Sequence, residues 1–196
     1  MCNLYRMSAA AGEVAQMFGT DAAAGNNLST EIFPGYPGLV FDGSGLRTMT
    51  WGFPLVRKGK SGQLLKPKPV NNTRADKLDS PFWRASFRER RCLIPLTTFT
   101  EAEGPKNAKT RTWFNMRDQP IFTCAGIWRD SAEWGPVYSM IMTDASPQVA
   151  PIHDRMPVVI AADKRANWLE SAPDQNDIFG LSNQSFLIER TEQRWV

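Results

Sequence analysis

One histidine, His153, and three cysteines, Cys2, Cys92 and Cys124, are the only imidazole and thiol side chains in the sequence. No two cysteines have Cys-x-x-Cys spacing, so the usual zinc patterns are excluded and no metal or cofactor is expected. An odd number of widely spaced cysteines does not make a disulfide framework, which leaves a reducing, cytoplasmic setting as the simplest expectation. There is no glycine-rich phosphate loop and no Gly-x-Ser-x-Gly elbow. No apolar run approaches the roughly 18 residues of a membrane-spanning helix, so no membrane partner is expected. The first residues also lack the basic region and apolar core of a signal peptide.

What the sequence does have is aromatic bulk and an uneven charge. Seven Trp and eleven Phe in 196 residues, with 42% hydrophobic residues, can build a substantial core. Between Arg57 and Arg91 eleven Lys and Arg stand against Asp76, Asp79 and Glu89, a net charge of about +8 within an overall +3. Such a block suits a polyanion such as nucleic acid, or forms a solvated basic loop without a partner.

The pattern along the chain predicts a mixed α+β fold. Cys2 to Arg6 reads as a strand that ties down the N-terminus. Ser8 reads as the cap of a helix with Ala10, Val14, Met17 and Phe18 on one face and Gly19 ending it. Residues 39–41 and 46–51 read as strands joined by a turn at Asp42-Gly43-Ser44-Gly45. A basic loop, 54–72, separates them from a short helix at 81–88 opened by Ser80-Pro81. Strands are expected at 92–95, 112–116, 121–128, 137–143 and 157–161, where β-branched and aromatic residues concentrate. Short helices are expected after Ser146-Pro147 and from Asp163 to Leu169, followed by a polar tail at 171–196. Without repeats or an evident boundary, the expectation is one domain over 1–196 with a barrel-like, mostly antiparallel sheet.

Four sites carry possible chemistry. If Met1 is removed, Cys2 presents an α-amine and a thiol two carbons apart. The amine has a pKa of about 7.7–8.0, so roughly a tenth of it is neutral at pH 7. It can condense with an aldehyde to an imine, onto which the thiol closes as a thiazolidine. An internal cysteine cannot do this, because its nitrogen is an amide. His153, between Pro151 and Pro157, suits a general acid/base or is a surface histidine in a polar loop. Glu101 follows an apolar run and suits proton transfer, or solvates a loop beside Glu103. Asn72 and Arg74, in Asn71-Asn72-Thr73-Arg74, suit orientation of a polar group and capture of a phosphate, or form a turn into a helix.

These pieces occur in an order that resembles one family. Met1-Cys2, Trp51-Gly52-Phe53, Asn72-Thr73-Arg74-Ala75-Asp76, Arg90-Arg91-Cys92-Leu93-Ile94-Pro95, Phe99-Thr100-Glu101, Ala125-Gly126-Ile127-Trp128 and Ile152-His153-Asp154-Arg155-Met156-Pro157 are similar to the motifs of the SOS response-associated peptidase (SRAP) family. The resemblance implies an SRAP domain with a positively charged groove that covalently traps abasic sites in single-stranded DNA. It implies Cys2 as the nucleophile after removal of Met1, with Asn72, Glu101 and His153 as its catalytic partners. Arg74 and Arg155 are implied as phosphate ligands and Trp51 as a stacking or wedge residue, although an aromatic after a strand is as often core. It further implies a monomer, nucleoid-associated when bound to damaged DNA, with self-removal of Met1 and possible lyase activity. The chain departs from the family pattern at Asn3, at Thr100 and Ala102 around Glu101, and at Asp76. A cysteine-nucleophile peptidase using Cys2 and His153, and a non-covalent module for single-stranded nucleic acid, are the alternatives.

Overall fold

The computed structural model describes residues 2–21, 28–170 and 185–195. The first strand, β1, is Tyr5–Arg6, and the helix α1 is Ala11–Phe18. Strands β2 (Glu31–Ile32), β3 (Pro37–Phe41), β4 (Leu46–Trp51), β5 (Phe53–Leu55), β6 (Lys68–Val70) and β7 (Asn72–Arg74) follow. A 3-10 turn, Ala75–Lys77, and the short helix α2, Arg84–Glu89, lead to β8 (Arg91–Leu96), β9 (Thr98–Glu103) and β10 (Thr110–Met116). The two longest strands are β11 (Phe122–Ser131) and β12 (Gly135–Asp144). The chain closes with β13 (Arg155–Pro157), β14 (Val159–Ile160), a 3-10 turn Ala162–Lys164, α3 (Arg165–Glu170) and β15 (Phe186–Arg194).

One antiparallel sheet has the order β15-β10-β9-β1-β2. A second runs β13-β12-β4-β3-β8-β11-β14, and the β11–β12 pairing closes five of its strands into a barrel. β4 and β7 run parallel to β12, and the other pairs are antiparallel. The expected α+β fold with a barrel-like, mostly antiparallel sheet and few short helices is the fold observed.

The barrel follows from the pattern of its strands. β8 is buried at all six positions and β11 at its first six, so both read as continuous apolar runs rather than as alternation. The core holds Trp51, Phe99, Phe114, Phe122, Tyr138 and Trp168. The two sheets meet where the Tyr5 and Tyr138 hydroxyls share a hydrogen bond of 2.5 Å. Gly38 is required there, since a Cβ at that position would lie 2.3 and 2.4 Å from the two hydroxyls.

Several local expectations are corrected. Ser8 does not cap α1. Ala10 is the cap residue, its N–H donating to the Glu13 carboxylate, while Ser8 donates to Thr97 Oγ1. Gly19 ends the helix in the left-handed conformation, as expected. The segment after Ser146 forms turns, not a helix, and Asp163 lies within a 3-10 turn capped by Ala161. The basic segment 54–72 is not all loop: β5 and β6 pair as a hairpin, with Gly52 packed on Pro69 at its base. Within the polar tail, 171–184 lie outside the described residues, but Phe186–Arg194 is a strand that completes the first sheet against β10.

Candidate functional site

Four segments far apart in the chain converge on Cys2. Cys2 to Leu4 precede β1 and are held against β9, where the Thr100 N–H donates to Leu4 O at 3.2 Å. β9 carries Glu101. β7 carries Asn72 and reaches the site because it pairs in parallel with β12, Asn72 opposite Met140. The turn before β13 carries His153, placed by β13 pairing with the end of β12.

Cys2 is fully buried, and its thiol donates to Leu4 O at 3.4 Å. Burial pushes the thiol pKa well up, and the nearby Glu101 carboxylate adds to the shift. The Cys2 carbonyl is clamped by two amides: Asn72 Nδ2 donates to it at 2.6 Å and Asn71 Nδ2 at 3.1 Å. Asn71 Nδ2 also meets Asn3 Oδ1 at 3.1 Å. Asn72 is buried, and among the described residues its Oδ1 has no hydrogen-bond partner, which leaves an unused acceptor on the side chain that holds the Cys2 carbonyl.

Glu101 is 1% exposed, and burial raises its carboxyl pKa from 4.5 to about 7. A carboxyl that is half protonated near neutral pH can both give and take a proton. His153 Nε2 lies 3.9 Å from Glu101 Oε2. Its Nδ1 accepts the Arg155 N–H at 3.0 Å and lies 3.0 Å from Asp154 Oδ1 as well, which fixes the ring with Nε2 toward Glu101. Burial lowers the His153 pKa, so the neutral form prevails near pH 7. The structure thus brings Cys2, Asn72, Glu101 and His153 together.

Glu101 is not at a loop, and Asn72 is not in a turn. Both sit buried in strands, which is what shifts the one and fixes the other. Trp51 is corrected more sharply. It is fully buried between Tyr5 and Tyr138 and offers no face to a base. Its Nε1–H instead donates to Asn71 O at 2.9 Å, so it positions the amide pair that holds Cys2.

Arg74 and Arg155 flank the end of β12 from opposite edges, opposite Met142 and Asp144. Each already meets a carboxylate: Arg74 grips Asp76 with two bonds of 2.7 and 2.8 Å, and Arg155 pairs with Asp144. Arg91 leaves the surface charge altogether. It is buried, and its guanidinium donates to the carbonyls of Phe87, Arg88, Trp168 and Leu169 at the ends of α2 and α3. The exposed cations of the basic stretch are Arg57, Lys58, Lys60, Lys66 and Lys68 on the β5–β6 hairpin, and Arg74, Lys77, Arg84 and Arg88 beyond it. Sequence reasoning missed Asn71 as a second clamp, and also Lys109, whose charge lowers the pKa of both Glu101 and His153. The doubled Asn71-Asn72 was the available signal for the first; nothing local marks the second.

Among the described residues no cluster of His, Cys, Asp and Glu could hold a metal ion, and no helix is long and apolar enough to cross a membrane.

The fold is shared with solved structures. A protein from Bordetella bronchiseptica superposes with a TM-score of 0.78 at 19% identity, covering 97% of this chain and 99% of that one. One from Bacteroides thetaiotaomicron gives 0.76 at 19% identity, covering 96% and 91%. In sequence, the chain is 29% identical over 142 residues to the abasic site processing protein YoqW of Bacillus subtilis, and 29% over 149 residues to YoaM of the same organism. These matches take in 67% and 69% of this chain but only 61% and 63% of the two relatives, less than two thirds of their length. The family model described as SOS response associated peptidase (SRAP) matches residues 1–192. With that match spanning nearly the whole sequence, and the family's motif residues gathered around one buried cysteine, the chain belongs to the SRAP family.

Proposed function

We propose that this protein acts in the DNA-damage response by trapping abasic sites in single-stranded DNA, through a thiazolidine formed by Cys2 once Met1 has been removed. One observation carries the reading. The Cys2 backbone is clamped by Asn71 and Asn72 beside a carboxyl whose pKa is about 7 and an imidazole directed at that carboxyl. The relatives named abasic site processing proteins supply the substrate class.

The chemistry balances without a cofactor. Hydrolysis of the Met1–Cys2 amide releases methionine and frees the Cys2 amine. His153 takes the proton of the sugar's anomeric hydroxyl and returns one to the ring oxygen, opening the sugar to its aldehyde. The amine adds to the carbonyl carbon, its surplus proton passes to the carbonyl oxygen, and protonated Glu101 gives its proton to the departing hydroxyl, so water leaves and a protonated imine remains. The thiol sulfur then adds to the imine carbon, the nitrogen takes up the electron pair of the C=N bond and becomes a neutral amine, and the thiol proton returns to the Glu101 carboxylate. The net change is loss of one water. In this reading Asn72 Oδ1, which has no hydrogen-bond partner among the described residues, accepts from the amine or from a sugar hydroxyl and so steadies the attack. Ring closure removes the imine from which β-elimination would cleave the strand.

The raised thiol pKa favours this reading over a cysteine peptidase. A hydrolytic cysteine works as a thiolate and needs its pKa depressed by a neighbouring base. Here the thiol is buried, bonded to Leu4 O and kept neutral. In a thiazolidine the amine attacks first, and the thiol gives up its proton only as it closes on the electrophilic imine carbon, where the Glu101 carboxylate can take it.

The test is a denaturing gel with a single-stranded oligonucleotide carrying one abasic site. The wild-type chain forms a heat-stable shifted band, Cys2→Ala forms none, and Cys2→Ser leaves at most a reversible imine. Equal crosslinking by wild type and Cys2→Ala overturns the proposal. A non-covalent binding module would give salt-sensitive binding and no shifted band.

A further inference from the structure

The Cys2 clamp has a neighbour that the crosslinking chemistry leaves unused. A cleft of about 500 Å3 is lined by Phe33, Tyr36 and Trp195 together with Asn3, Pro69 and Asn71. Tyr36 is 49% exposed, one of few large apolar side chains so open to solvent, and its ring meets Phe33 edge to face at 5.5 Å. Trp195, just past β15, is pinned by its N–H to Lys109 O at 2.8 Å. Two residues link the cleft to the site. Asn71 lines it while donating to the Cys2 carbonyl, and Lys109 lies near enough to Glu101 and His153 to act on both. Pro69 belongs to β6, at the root of the basic hairpin, so cations suited to a phosphate backbone stand beside the aromatic wall.

Aromatic faces with amide groups at the rim match a planar heterocycle that has a polar edge. Stacking on such faces accepts any base, because every base has a π-face. Stacked neighbours on a strand are about 3.4 Å apart, so a base next to a sugar held at Cys2 comes within reach of Asn71 and the cleft. Resting on the function proposed above, we infer that this cleft holds the nucleobase adjoining the abasic site, stacked on the wall of Phe33, Tyr36 and Trp195 with its edge toward Asn3 and Asn71. Its role is to hold the strand so that the sugar is presented to Cys2, without reading sequence.

The experiment uses the full chain and single-stranded oligonucleotides with a tetrahydrofuran abasic analogue, which has no aldehyde and cannot crosslink. The neighbouring base is 2-aminopurine, on the 5′ side in one oligonucleotide and the 3′ side in the other. Binding is expected to quench one of the two beyond the free strand. Tyr36→Ala with Trp195→Ala should abolish that quench and weaken binding roughly tenfold. Tyr36→Phe, which keeps the ring, should behave as wild type. With a natural abasic site, the double variant should crosslink roughly tenfold more slowly at subsaturating DNA, while Tyr36→Phe keeps the wild-type rate. No quench in either oligonucleotide, or a quench that persists in the double variant, overturns the inference. Crosslinking by the wild type is read separately, so a chain that crosslinks without quenching fails on the cleft alone, and one that quenches without crosslinking fails on the function.

Discussion

Glu101 is the residue whose environment most determines what the site can do. Burial lifts its pKa from 4.5 to about 7. The folded chain therefore holds a proton on Glu101 that the unfolded chain releases between those two values. Stability must fall as pH rises through that window, because the native state there binds more protons than the unfolded one. Glu101→Gln removes the titration, so its stability relative to wild type should improve by a few kcal/mol between pH 5 and pH 8. Thermal melts of both proteins across that range measure it, and parallel curves would contradict the assignment. Activity should move the opposite way. Crosslinking by the wild type should peak near neutrality, limited below by amine protonation and above by loss of the Glu101 proton. Glu101→Gln should slow it by about 100-fold and erase the alkaline limb, as read from single-turnover rates. Trp51 makes a subtler claim. Trp51→Phe keeps the packing but loses the bond to Asn71 O, and should lower the crosslinking rate more than the roughly 1 kcal/mol it costs in stability.

At the scale of elements, the fold depends on close approach where the two sheets meet. Gly38 on β3 leaves room for the paired hydroxyls of Tyr5 and Tyr138. Gly38→Ala should cost about 1–3 kcal/mol by overpacking, seen as a lower denaturation midpoint with an unchanged slope. The same elements explain what the sequence made legible. The β3–β4 hairpin and strands β8, β10, β11 and β12 were readable because β-branched and aromatic runs sit between turn residues. β9 was not, since Thr98-Phe99-Thr100-Glu101-Ala102-Glu103 looks polar. Its threonines are buried by bonding to carbonyls of β10, a tertiary effect that no local pattern signals. β15 was hidden for the opposite reason: an edge strand exposed over most of its length is indistinguishable from a polar tail. The four catalytic candidates were legible only through their shared order along the chain. The parallel β7–β12 pairing that joins Asn72 to Cys2 is a long-range contact, and Trp51 stayed open between stacking and core because its indole N–H partner lies twenty residues on.

Over the whole molecule, the charge that remains for a polyanion is less than the sequence count of about +8 between Arg57 and Arg91 implies. Arg91 is buried, and Arg74 and Arg90 are paired with Asp76 and Glu89. The exposed cations that remain are those of the β5–β6 hairpin together with Lys77, Arg84 and Arg88, and the hairpin holds the densest group. Replacing Lys58, Lys60 and Lys66 with alanine should flatten the dependence of log affinity on log salt by about 2 for single-stranded DNA, with little change in melting temperature. An unchanged slope would place the phosphates elsewhere. The account as a whole stands on the Cys2 amine and thiol acting together on one aldehyde. Intact mass spectrometry of the wild-type chain mixed with a single-stranded abasic oligonucleotide tests this most directly. The predicted species is the chain without Met1 plus the oligonucleotide, less one water, and it persists without a reducing agent. A chain that retains Met1 with no adduct, or an adduct that survives in Cys2→Ala, would contradict it.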